Sequence, residues 1–113
     1  MLASINRIHG RGVFKKLLRE GKMIRGEQIS LNYSKSRSNR LKSAVVVSKK
    51  TSKSAVKRNR IRRRVYEIVR KEYLPKNLGY NLIFLVFSED IVNIPHEELV
   101  RRIDSLIKKA NIL

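Results

Sequence analysis

Two apolar runs of strand length constrain the fold of this sequence most. Residues 44–47 are small or β-branched, and residues 81–87 combine aliphatic with aromatic side chains. Such runs are typical of strands inside a sheet, where neighbouring elements cover both faces. Residues 28–33 instead alternate polar and apolar side chains, which predicts a strand with one buried face. A sheet that includes these three strands is therefore expected.

Three segments carry the apolar spacing of amphipathic helices. The first is short and ends at Gly21, and its apolar residues are Val13, Phe14, Leu17 and Leu18. The second spans residues 56–73 and sets a basic face against an apolar stripe of Ile61, Val65, Ile68 and Val69. The third opens at Pro95. The order helix, strands, helix, strand, helix fits a single domain, 1–113.

The charge of the chain indicates a polyanionic partner. Lys and Arg number 27 against 9 acidic residues, a formal net charge of +18, while 42% of the residues are hydrophobic. That apolar content is enough for a core, so the charge must lie on a folded surface, where a polyanion would offset its self-repulsion. Nucleic acid is the leading partner. An anionic membrane is the alternative, disfavoured because no apolar stretch approaches spanning length.

The sequence has no cysteine, which excludes disulfide scaffolds, thiolate zinc sites and thiol nucleophiles. A reducing compartment fits this composition, and we expect a cytoplasmic protein. Residues 1–20 hold five basic residues and one acid, which faintly resembles a mitochondrial presequence, but they lack its serine richness. We expect no signal peptide.

The positive charge is concentrated in the middle of the chain. Residues 35–71 contain fifteen Lys and Arg and one acid, whereas residues 72–113 contain five and six. The last predicted helix has acids in its first turn and lysines in its last, as the helix dipole favours. The middle helix instead begins with Lys57, Arg58 and Arg60, where each like-charge contact costs up to about 1 kcal/mol. A bound phosphate would offset this cost.

Residues 48–54, just before this helix, add hydroxyl donors and three lysines. Together with the helix start they predict one continuous phosphate-binding surface. Two other interpretations exist: an ordinary solvated basic face, and a nuclear-import signal formed by residues 57–64. Import signals are typically exposed tails, whereas this segment also carries a core stripe.

The order of these residues resembles the signature of bacterial ribonuclease P proteins: Ser48-Lys49-Lys50, a short spacer, then Arg58-Asn59-Arg60-Ile61-Arg62-Arg63. Residues 14–21 are similar to the first helix of that family, and Tyr33 lies in a matching first strand. The resemblance covers nearly the whole chain. It implies an α/β (α+β) two-layer sandwich of order αβββαβα, with a four-stranded, mixed but mainly antiparallel sheet and a left-handed βαβ crossover.

The resemblance also implies a function. Catalysis would belong to a large RNA, with magnesium bound mainly by that RNA, while the protein is a non-catalytic subunit that helps hold the 5′ leader of precursor tRNA. Cleavage would give mature tRNA 5′ ends. The residues implied to contact the catalytic RNA are Lys49, Lys50, Lys53, Arg58, Asn59, Arg60, Arg62 and Arg63.

Phe14 and Tyr33 are implied to line a cleft for the leader. Both also occupy apolar-face positions, where aromatic side chains usually belong to the core. Two positions depart from the family pattern and weaken the carry-over of leader contacts. Leu18 stands where the family often has a second aromatic residue, and Tyr66 where it often has another arginine.

The sequence offers no evident active site of its own. RNA cleavage by a protein commonly needs positioned histidines or clustered carboxylates. His9 and His96 are far apart, and the adjacent acid pairs, 89–90 and 97–98, diverge on a strand or helix. We therefore expect neither a protein-borne catalytic residue nor a small-molecule substrate. The competing function is that of a ribosomal protein or general RNA chaperone; the oligomeric state is left open.

Overall fold

A computed structural model describes residues 2–76 and 78–112 of the chain. Its main helices and strands are α1 (Arg11–Glu20), β1 (Lys22–Ile24), β2 (Ile29–Lys35), β3 (Lys42–Val47), α2 (Ala55–Ile68), β4 (Tyr80–Val86) and α3 (His96–Lys109). Short 3-10 turns lie at Ser4–Asn6, Leu74–Lys76 and Glu89–Val92. This order confirms the predicted αβββαβα arrangement.

The four strands form one sheet in the order β1-β2-β4-β3. β2 runs antiparallel to both β1 and β4, whereas β3 and β4 are parallel neighbours joined through α2. The mixed, mainly antiparallel sheet is therefore confirmed, and the left-handedness of the crossover stays a prediction. β1 has no counterpart in the apolar pattern because it has only three residues, two of them exposed.

α2 and α3 cover one face of the sheet. Leu31, Phe84 and Val45 stand side by side in adjacent strands and belong to the main core cluster. Ile61 of α2 and Ile103 of α3 belong to the same cluster, and both are fully buried. Each such side chain contributes about 1.5–3 kcal/mol by leaving water. This layer pair is the predicted sandwich.

α1 lies on the opposite face. The Asn32 side chain, which points away from the main core, donates from Nδ2 to the Leu18 carbonyl at 3.1 Å. Ile83, which pairs with Asn32 and shares its face, is also fully buried. α1 itself has no fully buried residue, although it is strongly amphipathic. Its apolar side is thus only partly covered.

Gly21 ends α1, as predicted. A left-handed backbone, the usual reason for a glycine at a helix end, is not the reason here. Its φ is −77°, which any residue adopts. A Cβ at this position would lie 2.3 Å from Asn32 Oδ1 and 2.9 Å from the Tyr33 carbonyl oxygen. Glycine is required because the helix end passes so close to β2.

The predicted helix over residues 56–73 changes its winding part-way. α2 ends at Ile68 and a single π turn follows at Val69–Tyr73. The turn directs Tyr73 into the core, where its hydroxyl donates to Asp104 Oδ1 of α3 at 3.0 Å. Burial, and then this carboxylate, raise the pKa of Tyr73 well above its usual value. In residues 2–76 and 78–112, no helix is long and apolar enough to cross a membrane.

Candidate nucleic-acid interface

The segment between β3 and α2 is an ordered turn. The Thr51 and Ser52 amides donate to the Ser48 carbonyl at 3.1 and 3.2 Å, and Thr51 Oγ1 donates to the Val86 carbonyl at 3.2 Å. Ser54 then caps α2, because its Oγ accepts from the Lys57 amide at 3.2 Å. Ser54 is thus the N-cap of α2, and donation from the hydroxyls of this segment to phosphate stays a prediction.

Five cations of the predicted interface are exposed. Within the described part of the chain they have no hydrogen-bond or ion-pair partner; they are Lys49, Lys50, Lys53, Arg60 and Arg63. Asn59 is exposed beside them and accepts from the half-buried Arg62. The three lysines belong to the turn of residues 48–54, called the lysine turn from here on, and the other residues belong to the outer face of α2. Two consecutive elements therefore present one cationic surface.

Other cations of the same run turn back to the protein. Arg58 Nη1 donates to the Ser52 carbonyl at 2.8 Å and so fixes the lysine turn to the helix. Arg64 donates from both terminal nitrogens to the carbonyls of Ile91 and Ile94, each at 2.7 Å. Burial lowers the pKa of Arg64. Arg64 was not among the predicted RNA contacts, and its geometry indicates a structural role.

The positive end of α2 receives some compensation within the chain. No acid lies in its first turn, but Lys57 Nζ is 2.6 Å from Oε1 of Glu89. From the sequence, we expected a bound phosphate to offset this charge. The contribution of Glu89 was not predicted, because Glu89 lies 32 positions from Lys57 in the sequence and is brought near it only by the tertiary fold. The five exposed cations of the predicted interface still lack such a partner within the described residues.

The structure does not bring Phe14 and Tyr33 into one cleft. Phe14 is half-buried on α1, whereas Tyr33 packs against the main core and lies 6.4 Å from the Tyr80 ring, centroid to centroid. Asn32, the neighbour of Tyr33, points towards α1, so Tyr33 points to the other face of the sheet. For Tyr33 the packing interpretation of the sequence is therefore the better one.

Tyr66, the second departure from the family pattern, has a structural role. It is buried on α2, and its hydroxyl accepts from the Val45 amide of the edge strand β3 at 3.2 Å. This role could not be predicted from the sequence, because the hydrogen-bond partner lies 21 residues earlier.

Comparison with known proteins identifies the family. A family model described as Ribonuclease P matches residues 2–111. The chain belongs to this family. A ribonuclease P protein component of Chloroflexus aurantiacus is 30% identical over 100 residues, which cover 88% of this chain and 73% of that protein. One from Pseudanabaena sp. is 33% identical over 115 residues, covering 100% and 97% of the two chains.

Solved structures of ribonuclease P proteins share the fold. The Staphylococcus aureus protein superposes with a TM-score of 0.78 at 18% identity, covering 95% of this chain and 96% of that one. The Thermotoga maritima protein gives 0.78 at 23% identity, covering 91% and 96%. The names of the ribonuclease P relatives imply an RNA partner and a place in tRNA processing.

Proposed function

We propose that this chain is the non-catalytic subunit of a ribonuclease P, binding both the catalytic RNA and the 5′ leader of precursor tRNA. The RNA would then remove the leader endonucleolytically and leave mature tRNA 5′ ends. The observation that carries the proposal is the set of exposed cations on the lysine turn and α2 that have no partner among residues 2–76 and 78–112, in a chain of this family. Family membership favours it over a ribosomal protein or a general RNA chaperone.

The proposed RNA contacts act through charge. Guanidinium groups bind phosphate through paired N–H donors, and ammonium groups act as point charges. Arg60 and Arg63 are exposed on α2, and Lys49, Lys50 and Lys53 come from the adjoining turn. Arg58, Asn59 and Arg62 are proposed to assist, although each already makes a contact within the chain. A surface of this kind positions RNA without reading its sequence.

Of the two aromatic residues implied for the leader, Phe14 is the one we retain. It is half-buried on α1, a helix whose apolar side is only partly covered. Tyr33 is proposed to support strand packing, since its ring lies against Tyr80 and the core. The leader would therefore cross the face of the sheet that carries α1, and not the face that carries α2 and α3.

Magnesium is proposed to be bound by the RNA partner. Among the described residues there is no group of three or more His, Asp or Glu side chains that could hold a metal ion. The proposed effect of the chain itself is to neutralise phosphates and hold the substrate. We place the function in the cytoplasm, which suits a chain without cysteines.

Reconstitution with the catalytic RNA tests the proposal. The purified protein should lower the magnesium concentration needed for cleavage, and it should tighten binding of leader-bearing precursor tRNA relative to leaderless tRNA. An RNA chaperone would promote folding of the catalytic RNA and then be dispensable, so protein added to pre-folded RNA separates the two functions. Equal affinity for leader-bearing and leaderless tRNA, with and without the protein, would contradict the proposed role.

A further inference from the structure

Phe87 is the exposed aromatic residue of this chain. It follows β4 directly, and 62% of its surface is accessible, whereas every other aromatic residue is half-buried or buried. The sequence predicted it as the last residue of a buried strand. A single exposed apolar side chain is common on protein surfaces and indicates no site by itself. Its surroundings are what distinguish it.

Phe87 ends an apolar strip on the α1 side of the sheet. Alternation along β4 places Ile83, Leu85 and Phe87 on this face, and their burial falls in that order: fully buried, half-buried, exposed. Val46 of β3 pairs with Leu85 and is half-buried as well. α1 contacts this face at Asn32 of β2, the partner of Ile83, and the end of the strip at Phe87 is open.

The backbone around Phe87 is fixed, and the lysine turn lies beside it. The Phe87 amide donates to the Gln28 carbonyl at 2.9 Å. The carbonyl of the preceding residue, Val86, accepts from Thr51 in the turn that carries Lys49 and Lys50. An aromatic ring on a rigid strand end thus adjoins two exposed cations. This is the combination that binds single-stranded nucleic acid, because bases stack on rings while cations hold the phosphates.

We propose that Phe87 stacks on an unpaired base of single-stranded RNA. Leu85 and Val46 would support the neighbouring nucleotide, and Lys49 and Lys50 the flanking phosphates. Charge complementarity selects this occupant: a second copy of the chain would bring another +18 to the same surface. The inference rests on the proposed function, in which the 5′ leader supplies the single strand, and it assigns a contact to a residue that the resemblance did not include.

A fluorescence titration of the free protein tests the stacking. The probe is a short single-stranded RNA with one 2-aminopurine, whose emission falls when the base stacks. Phe87→Leu keeps apolar bulk without the ring and should bind roughly 5- to 100-fold more weakly, with loss of quenching. Phe87→Trp should restore both. Ile5→Ala is the matched control, because Ile5 is also an exposed apolar residue, with 52% of its surface accessible. It lies far from the lysine turn: its neighbour Asn6 donates to the Leu41 carbonyl, at the opposite end of β3 from Lys49. It should change neither.

The assembled ribonucleoprotein separates this inference from the proposed function. Phe87→Leu should weaken binding of leader-bearing precursor tRNA while leaving affinity for leaderless tRNA and for the catalytic RNA unchanged. If Phe87→Leu behaves as wild type, or if Phe87→Trp fails to restore binding, the stacking role is overturned. The proposed function survives that result provided that the wild-type protein still favours leader-bearing substrate. If the wild type does not, the proposed function fails, and quenching by the free protein still decides the role of Phe87.

Discussion

α2 and α3 are two helices of equal length with opposite electrostatics. Each has 14 residues and buries an apolar stripe against the sheet. α3 begins with Glu97 and Glu98, ends with lysines, and pairs several of its charges internally, as in the 3.0 Å contact of Lys108 with Asp104. α2 has no acid in its first turn and leaves its outer arginines without partners in the described chain. α3 therefore pairs most of its charges within the helix, whereas the outer arginines of α2 are available to the anion that the proposed function supplies.

The first prediction tests whether the two helices are equivalent on their inner faces. Ile61 of α2 and Ile103 of α3 are both fully buried in the same cluster. Ile61→Ala and Ile103→Ala should each lower the free energy of unfolding by about 2–5 kcal/mol, because each leaves a cavity. Urea unfolding in chloride buffer measures this. A loss below about 1 kcal/mol at Ile61 alone would show that α2 contributes little to the core.

The second prediction tests the difference on the outer faces. The double variant Arg60→Gln, Arg63→Gln should weaken binding to the catalytic RNA at low salt by roughly 10- to 100-fold. It should also reduce the slope of log affinity against log salt by about one unit per lost phosphate contact.

Arg101→Gln on α3 is the charge control for this variant. The Arg101 side chain is 74% exposed and pairs with Glu98. Removing it should leave the salt slope unchanged. Equal slope changes for the α2 and α3 variants would mean that net charge, and not the α2 surface, governs RNA binding.

A third prediction separates Arg64 from its arginine neighbours. Replacing Arg64 by Met removes two partly buried hydrogen bonds to backbone carbonyls and should cost about 1.5–3 kcal/mol of unfolding free energy. The salt slope of RNA binding should stay at the wild-type value, since this guanidinium points to Ile91 and Ile94. A flatter slope with normal stability would place Arg64 on the RNA instead.

The fourth prediction uses a simple anion in place of RNA. Sulfate should raise the melting temperature above that in chloride at equal ionic strength, by a few degrees, because an anion that binds the folded state stabilises it. The Arg60→Gln, Arg63→Gln variant should lose most of this difference, and Arg101→Gln should keep it. Sulfate also strengthens apolar burial in general, so an unchanged difference in the double variant would assign the effect to the solvent.

The smallest expected effect concerns pH. Near its end α2 carries an acid, Glu67, and chiefly the hydrogen bond from Arg70, 2.9 Å from Nη2 to Oε2, lowers the pKa of Glu67 to about 2. The stability from this contact is complete above the unfolded pKa of about 4.3 and is lost as the pH falls towards 2. Glu67→Gln should therefore lower the melting temperature slightly at pH 7 and by less at pH 2.5. A difference that does not shrink with pH would exclude ionisation as its cause.

Most of the fold could be predicted because, in each long helix and strand, the apolar residues recur with the spacing typical of that secondary structure. The strand predicted over 28–33 is Ile29–Lys35, and the one over 81–87 is Tyr80–Val86, a shift of one or two residues. The apolar pattern did not locate β1, which only the resemblance implied, or the π turn, because a three-residue edge strand and a local change of winding leave no periodic signal. The prediction that Phe87 lies in a buried strand was wrong for a similar reason: an apolar run in the sequence does not show where the elements that pack over the strand end.

The interface could be predicted as a region but not residue by residue. Composition and order located the lysine turn and α2. Whether a cation faces solvent or the protein depends on contacts between distant segments: Arg64 reaches carbonyls 27 and 30 residues away. The same holds for Tyr33, whose core-facing position follows from which side of β2 α1 covers.

The hydrogen bond that the Tyr66 hydroxyl accepts from the Val45 amide affects how copies of this chain can associate. β3 is an edge strand, and unpaired groups along an edge are templates on which another chain can add a strand. In this chain the Ile8 amide donates to the Ser43 carbonyl at 3.1 Å, and the Tyr66 hydroxyl accepts from the Val45 N–H. At the other edge β1 offers only three residues. Copies of this chain therefore find few unpaired backbone groups for β-augmentation along the described parts of these two edges.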